Sequence, residues 1–471
     1  MAPGVYTGFC LDDKSSANQG RFIHFQALGN PGQVTINKPC PQDRARWMIY
    51  LRAAHHVVIQ GFELRGAETP GDTGAQGPWA GIMLDGDFGR TGKLTHHIAF
   101  IESFSHHHAA WGLHSTDSHS VLLQNNVFGF SAREHSAYVS DGSDNYVIRR
   151  NVFQGSRSSG LQLNLDPEAS LKETVGHPSL STLPPYSETR AWAQTVIMRA
   201  SQIFGERGFP DGKGENFWIE NNVMTGNGTG GGGALNLAAF QHSVVQNNLI
   251  YGNRAHGIAQ WDNRNPFDKD AVASPPETAE DAKNTAKLPL FGCHDNVFQH
   301  NTVLLSNPGR AAMLIVNGSY NTHLYNNIFI NGEDASIYID RTSALGFDAS
   351  ALVFGEVRYR SEPFGSLGSS PYPAAVMSVM RTSPSCSTCQ PNVSRAAVES
   401  EFEGSSEEPW IIIQGNWWVL NAKRPDFRPK WGATTLRNKA DHSHLVPLDM
   451  VGAPRTSADI GALTGAPEYE R

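Results

Sequence analysis

The segment Arg133-Glu134-His135-Ser136-Ala137-Tyr138 gathers a guanidinium, an imidazole and a phenol within one short phrase. Removing a proton next to a carboxylate and expelling a neighbouring oxygen requires three such groups. They are a cation to neutralise the carboxylate, a base with a pKa near neutrality, and an acid for the leaving oxygen. Arg133 suits the first role, His135 or His114 the second, and Tyr138 the third. An alternative without chemistry has His135 satisfying a turn carbonyl and Tyr138 capping a turn of the chain. Further on, Gln162, Asn164, Asp166, Asn236, Trp261 and Asp262 offer amide, carboxyl and indole groups for holding a substrate.

What positions these residues is a repeat. Asn followed by two apolar residues recurs as Asn126-Val127-Phe128, Asn151-Val152-Phe153, Asn222-Val223-Met224, Asn248-Leu249-Ile250, Asn301-Thr302-Val303 and Asn327-Ile328-Phe329. Uninterrupted spacings are 25 or 26 residues, and Phe62 and Ser103 take the Asn position upstream. Eight coils can be counted, with a ninth around 21–36. A period in the mid-twenties built from short β-branched runs, without helical periodicity, predicts an all-β solenoid. Each coil buries its apolar residues only by stacking on its neighbours. Coils then lie about 4.8 Å apart, and the repeated Asn residues form an amide ladder at one corner, as scaffold.

This frame resembles the bacterial right-handed parallel β-helix repeat proteins, the pectate-lyase-like superfold, over residues 5–345. The ending Pro447–Pro454, followed by Asp459–Ala462, is similar to the closing phrase of secreted members. The resemblance implies a single-stranded right-handed parallel β-helix with long loop insertions, one containing a helix, and a C-terminal cap and tail. The superfold houses lyases, hydrolases, epimerases and binding proteins, so fold alone does not choose a reaction.

A second strand in each coil starts at Gly81, Gly112, Ser136, Gly160, Ala234, Gly257, Ala312 and Ser336. From these starts the next Asn position comes 14 or 15 residues later in uninterrupted coils, but 22, 62 and 44 residues later after Gly81, Gly160 and Gly257. All three insertions therefore leave along one edge, as loops walling a groove do. Alternation along this strand places Gln162, Asn164 and Asp166 outside, with His114, Tyr138 and Gln162 stacked in consecutive coils. Such a column suits a sugar chain. The expectation is a lyase or C5 epimerase acting on an acidic glycan. A glycoside hydrolase using pairs among Asp85, Asp117, Asp141, Asp166 and Asp262 is the second reading, although no polygalacturonase-type Asp pair or Arg-x-Lys phrase is present. A non-catalytic glycan-binding surface protein is the third.

The remaining features set bounds. Charged residues are 17% and the net charge is -8, which gives no nucleic-acid footprint. No apolar run is long enough to span a membrane. A secreted or periplasmic monomer whose leader has been removed is expected. His96, His97, His106, His107, His108, His114 and His119 cross a strand and two turns, so they are expected to scatter around one coil. Calcium held by Asp and Asn oxygens in the groove is the favoured cofactor, although Lys93 and Lys172 sit in insertions and give no calcium-lyase base. Five cysteines predict one or two disulfides and an odd thiol.

The expected division is 1–345 as β-helix, with insertions at 167–215 and 264–292, and 346–471 as closing coils, long loop and tail. The first insertion should carry an amphipathic helix over Ser187–Phe204, capped by Ser187, with Trp192, Val196, Ile197 and Ile203 on its apolar face, forming a lid or wall. The second reads as an irregular loop. Trp410–Leu420 reads as strands that close the last coil.

Overall fold

The computed structural model describes residues 1–13, 21–41, 47–66, 80–262, 265–273, 287–343, 345–360, 388–455 and 457–465. Three long parallel sheets wind around one core. Sheet A has eleven strands, from Gly4–Thr7 to Val353–Phe354, and sheet B has eleven, from Phe9–Asp12 to Val357–Arg360. Sheet C has twelve strands, ten along its main path and two that branch from it, and closes the coils. This is the right-handed parallel β-helix, with eleven coils instead of eight or nine. The two extra coils lie at the ends, where no Asn marks the register.

The Asn positions form a continuous ladder. The Nδ2 groups of Asn126, Asn151, Asn222, Asn248 and Asn301 each donate to the Oδ1 of the next Asn along, at 3.0–3.1 Å. Each also donates to a buried backbone carbonyl, as Asn248 does to Ile219 at 2.9 Å. The residue before each ladder position is left-handed, with φ near 55° at Asn125, Arg150, Asn221, Asn247, His300 and Asn326. That turn bends the chain from sheet C into sheet A. Asn tolerates the conformation best, which accounts for the Asn-Asn doublets. Phe62 stands at the upstream end of the ladder, with its N–H held by Ser103 Oγ at 3.1 Å.

The core is the inner face of all three sheets: Phe100, Phe128 and Phe153 stack at 5.6–5.7 Å, and Leu113, Val139, Leu163 and Leu237 are fully buried. The outer face of sheet A is a second apolar layer. Phe104, Val127, Leu249, Ile328 and Ile330 are buried there beneath Val398, Phe402, Phe427, Leu436 and Ile460 from the C-terminal segment. Trp410–Leu420 belongs to this cover and does not close a coil. Ile411–Gln414 and Trp417–Leu420 form an antiparallel hairpin, and Ile411 exchanges backbone bonds with the Gln154 amide at 3.0 and 3.1 Å. The strand signal was real; its partner is its own hairpin, laid back over the middle coils.

All three insertions leave sheet B at its C-terminal edge and pack on one another. The first carries the short helix α1 (Phe88–Thr91), the second α2 (Pro167–Val175) and α3 (Arg190–Phe204), and the third α4 (Lys269–Ala273). Glu173 accepts from Gly89 N at 2.5 Å, Phe88 meets Phe204 edge-on at 5.1 Å, and Trp192 stacks on Phe267 at 5.8 Å. Together they form one wall. α3 starts two residues later than its sequence suggests, because Thr189 Oγ1, and not Ser187, accepts from Trp192 N. Trp192 and Val196 are buried, Ile197 is half-buried, and Ile203 is exposed. Cys10 and Cys40 form a disulfide, Cys389 is also disulfide-bonded, and Cys293 is the buried free thiol. Cys386 and 361–387 lie outside the described residues. No described helix is long and apolar enough to cross a membrane.

Candidate active site

With sheet A covered, sheet B presents its outer face beside the wall. Strand pairing aligns Tyr50, Met83, His114, Tyr138, Gln162 and Asn236 in one row, and Arg52, Asp85, Thr116, Ser140, Asn164, Ala238 and Trp261 in the next. The first row then turns apolar at Ala259 and Leu314. The titratable side chains of these two rows therefore lie in the coils from Tyr50 to Tyr138.

The His114 and Tyr138 rings lie parallel, 4.7 Å apart at 3°. Trp111, two residues before its strand Leu113–Thr116, sits 4.9 Å from His114, and Trp47 stacks on Trp111 at 5.8 Å. The Trp111 Nε1 is buried with no hydrogen-bond partner. Neither tryptophan was evident from the sequence, because alternation was followed only inside the strands from Gly81 onward. The pairing of Trp47 with Ala80 puts both at the mouth of the same row.

His114 is tied to a relay. Its Nε2 lies 3.2 Å from Ser140 Oγ, which lies 3.1 Å from Asp141 Oδ2. With Ser140 donating to the carboxylate, His114 Nε2 must carry the hydrogen, which leaves the Nδ1 lone pair as the basic atom. Burial, then His135, lowers the His114 pKa to about 4, so the ring is neutral at neutral pH. Burial raises Asp141 to about 6, with Asp166, Glu173 and Asp85 adding to the effect. Asp117, fully buried beside Asp141 and Glu173, is pushed well above the ordinary carboxylate range by burial first. Burial also raises Tyr138, whose hydroxyl accepts from Asn164 Nδ2 at 3.2 Å. That phenol is a donor at any physiological pH.

His135 lies beside this row but its lone pair is occupied. Its Nδ1 accepts from Ser159 N at 3.0 Å, and at the equivalent position further along the helix His256 Nδ1 accepts from Ala311 N at 2.8 Å. Neutral His135 therefore carries its hydrogen on Nε2 and has no free basic nitrogen. The device joins one coil to the next. The sequence suggested a carbonyl as the partner; an N–H is found.

The other named residues divide. Gln162 Oε1 accepts from Asn236 Nδ2 at 2.8 Å and Ser159 Oγ at 3.1 Å, so Gln162 and Asn236 belong to the row. Asn164 Oδ1 and Trp261 Nε1 are buried polar atoms without a partner. Asp166 caps α2, its Oδ1 accepting from Glu168 N and Ala169 N at 3.0 and 3.1 Å. Asp262 is 4% exposed and takes the Asn265 amide, inside the root of the third insertion. Arg133 is exposed in the turn from sheet A into sheet B, and Arg157, Arg254 and Arg310 occupy the same turn in other coils. The row is thus framed by a basic edge at its strand starts and an acidic edge at its strand ends.

Among the described residues, no trio of His, Cys, Asp or Glu with its ligand atoms within 4.8 Å of one another lies on the acidic edge. Among the described residues, only two trios of metal-capable side chains bring their atoms within 4.8 Å of one another, and both contain histidines on sheet C: His55, His56, His96 and His242, His294, Asp295. Of the histidines expected to scatter around one coil, His106 lies on sheet A and His114 on sheet B, whereas His96, His97 and His119 come together between coils on sheet C. On another face, a cavity of about 540 Å³ opens between Gln60, Glu102, Arg150 and the hairpin's Trp417 and Trp418.

The sheets and their connections define the class, the right-handed parallel β-helix proteins. No protein-family model and no curated protein matches the chain. Among solved structures, pectate lyase Pel9A aligns over 99% of this chain and 87% of its own, at 11% identity and a TM-score of 0.47. The A-module of the Azotobacter vinelandii mannuronan C-5 epimerase AlgE4 aligns over 78% of this chain and 88% of its own, at 13% and 0.40. PfbA, a surface adhesin of Streptococcus pneumoniae, aligns over 78% and 87%, at 12% and 0.42. The likeness is one of architecture.

Proposed function

We propose that this protein is a carbohydrate-active enzyme that holds an acidic polysaccharide along the outer face of sheet B and cleaves it by β-elimination, or inverts it by the related C5 epimerisation. The observation that carries this reading is the His114–Ser140–Asp141 relay beside Tyr138, on a row with Trp47 and Trp111. Aromatic faces suit sugar rings, and the buried amides of Gln162, Asn164 and Asn236 suit hydroxyls. Arg133 and its neighbours in the turns supply cations for uronate carboxylates.

In elimination, His114 Nδ1 takes the C5 proton, electrons move to form the C4–C5 double bond, and the C4–O bond breaks. Tyr138 delivers its proton to the leaving oxygen, and the two residues exchange protons through solvent before the next turnover. In epimerisation the same carbanion is reprotonated from the opposite face, and no bond to oxygen breaks. Calcium enters this proposal as a substrate-side partner to be tested by chelation; no step depends on it.

A second reading rests on Asp117 and Asp141, whose raised pKa values would let one carboxyl stay protonated as the acid while a second, ionised carboxylate acts as nucleophile or base, as a glycoside hydrolase requires. Incubation with uronate-containing polysaccharides separates the readings. Ultraviolet absorbance of an unsaturated uronate product supports elimination, and new reducing ends without that absorbance support hydrolysis. Exchange of the C5 hydrogen with solvent deuterium, without chain cleavage, supports epimerisation. Binding with none of these products makes the row a glycan-binding surface and sinks the catalytic proposal.

A further inference from the structure

Sheet C carries a second chemical feature, unrelated to the sheet B row. Six coils enter this sheet through a left-handed residue: φ is 58° at His56, 54° at His97, 56° at Ser120, 57° at Asn145, 48° at His242 and 53° at Asp295. A left-handed residue interrupts the alternation of a strand, so two consecutive side chains project to the same side. In most coils the residues placed there are polar and half-buried or buried. In two adjacent coils both residues are histidines, and strand register sets His55 directly against His96.

The imidazoles form two parallel stacks. His55 lies on His96 at 4.7 Å and 4°, and His56 on His97 at 4.6 Å and 3°; His119 continues the first stack, 4.9 Å from His96. Between the stacks, Nδ1 faces Nδ1 at 2.8 Å in His55–His56 and at 2.7 Å in His96–His97. Ligand nitrogens of His55, His56 and His96 lie within 4.8 Å of one another. All three rings are half-buried and His97 is exposed, so solvent reaches the cluster.

We propose that His55, His56 and His96 bind a divalent transition-metal ion of the zinc class, bridging two adjacent coils. Imidazole nitrogens suit zinc, copper and nickel and not calcium or magnesium. With metal–nitrogen bonds of about 2.0–2.1 Å, tetrahedral ligands stand roughly 3.3 Å apart. The His55–His56 nitrogens need to part by only a few tenths of an ångström to reach that separation. His97, whose Nδ1 already meets that of His96, stands next to the fourth position. The trio His242, His294, Asp295 arises from the same left-handed device. There Asp295 Oδ2 lies 2.6 Å from His294 Nδ1 and Asp295 Oδ1 accepts from Asn321 Nδ2 at 3.1 Å, so a carboxylate already bonded on both oxygens stands where the first trio has an imidazole. The ion would staple two adjacent N-terminal coils.

The test is calorimetric titration of the chelator-treated full chain with Zn2+, with the melting temperature read in parallel. One ion per chain is expected, with a raised melting temperature. Affinity should weaken by about tenfold or more in His55→Ala and in His96→Ala, and stay unchanged in His294→Ala. Each variant is first checked without zinc for an unaltered circular dichroism spectrum. Co2+ substitution supplies a second readout, since visible d–d bands of a tetrahedral nitrogen site should appear in the parent and vanish in a combined His55→Ala/His96→Ala variant. Zinc binding that is absent, that persists undiminished in both single variants, or that is lost only in His294→Ala overturns the proposal. None of these readouts depends on turnover of a glycan.

Discussion

Replacing Asn248 with Ala removes one rung from the centre of the amide ladder. Asn248 is fully buried, and its side chain makes four hydrogen bonds: from Asn222 N and Asn222 Nδ2 to its Oδ1, each at 3.0 Å, and from its Nδ2 to Ile219 O at 2.9 Å and Asn301 Oδ1 at 3.0 Å. Asn301 Oδ1 keeps the Asn248 backbone N–H and Asn222 Nδ2 keeps Ile148 O, so neither is orphaned. The Asn222 backbone N–H loses its side-chain acceptor, and Ile219 O loses this donor. At about 1–3 kcal/mol for each buried group left unsatisfied, and with a small cavity added, the cost is on the order of 3–5 kcal/mol. Urea unfolding followed by circular dichroism measures it. Because repeat arrays can unfold in pieces, amide exchange should be read alongside. The coils around 219–250 should lose protection before those near Asn126. A loss below about 1 kcal/mol, or an even loss of protection along the helix, would refute the idea that the ladder fixes the corner.

Three further outcomes are expected. His114→Ala should lower turnover by about 10²- to 10⁴-fold, as loss of a general base does; Ser140→Ala should give a smaller loss in kcat with KM nearly unchanged, because it frees the ring's orientation and leaves binding intact. His135→Ala should cost about 1 kcal/mol of stability through the lost acceptor for Ser159 N, with turnover within a few-fold of the parent; a collapse of turnover with unchanged stability would return His135 to the chemistry. Stability should also respond to pH through Asp141. Its carboxyl, raised by burial to about 6 in the folded chain, binds its proton more tightly there than in the unfolded chain, so its contribution is present below the ordinary value and lost as pH rises through 6. That interval corresponds to roughly 3 kcal/mol. His114, held down at about 4, acts in the opposite sense as pH falls, so denaturation curves of Asp141→Asn and the parent must be compared; identical slopes between pH 4 and 6 would contradict the assignment.

Much of the scaffold was legible because its determinants are local and repeated. A buried amide at fixed spacing, a left-handed residue before it and two apolar residues after it mark each corner. Strand starts from Gly81 to Ser336 align in the structure as the count places them. The end coils escaped because a terminal rung has no partner to require Asn. The hairpin at Trp410–Leu420 escaped because a strand's sequence does not say whether it joins the sheet or pairs with itself. Its destination depends on the apolar outer face of sheet A, which reads in the sequence as further core. The histidine cluster on sheet C is hidden in the sequence for a related reason: stacking of coils brings together residues forty positions apart.

The site shows what position alone decides and what it leaves open. Counting residues places His114 and Tyr138 in adjacent coils on one face, and the rings do lie parallel there. The same counting gives His135 and Asp166 equal standing with them. The distinction comes from where each lone pair goes. Asp166 Oδ1 takes the first N–H groups of a helix that the insertion starts at that point, and His135 Nδ1 takes the N–H of the next coil. A base must have an unshared pair facing the substrate. At His114, Ser140 Oγ, itself tied to Asp141, takes up Nε2 and leaves Nδ1 as the unshared pair that the proposed role needs. If His114→Ala and Ser140→Ala leave turnover intact while Asp141→Asn abolishes it, the carboxyl acts on the substrate directly and the hydrolase reading takes precedence.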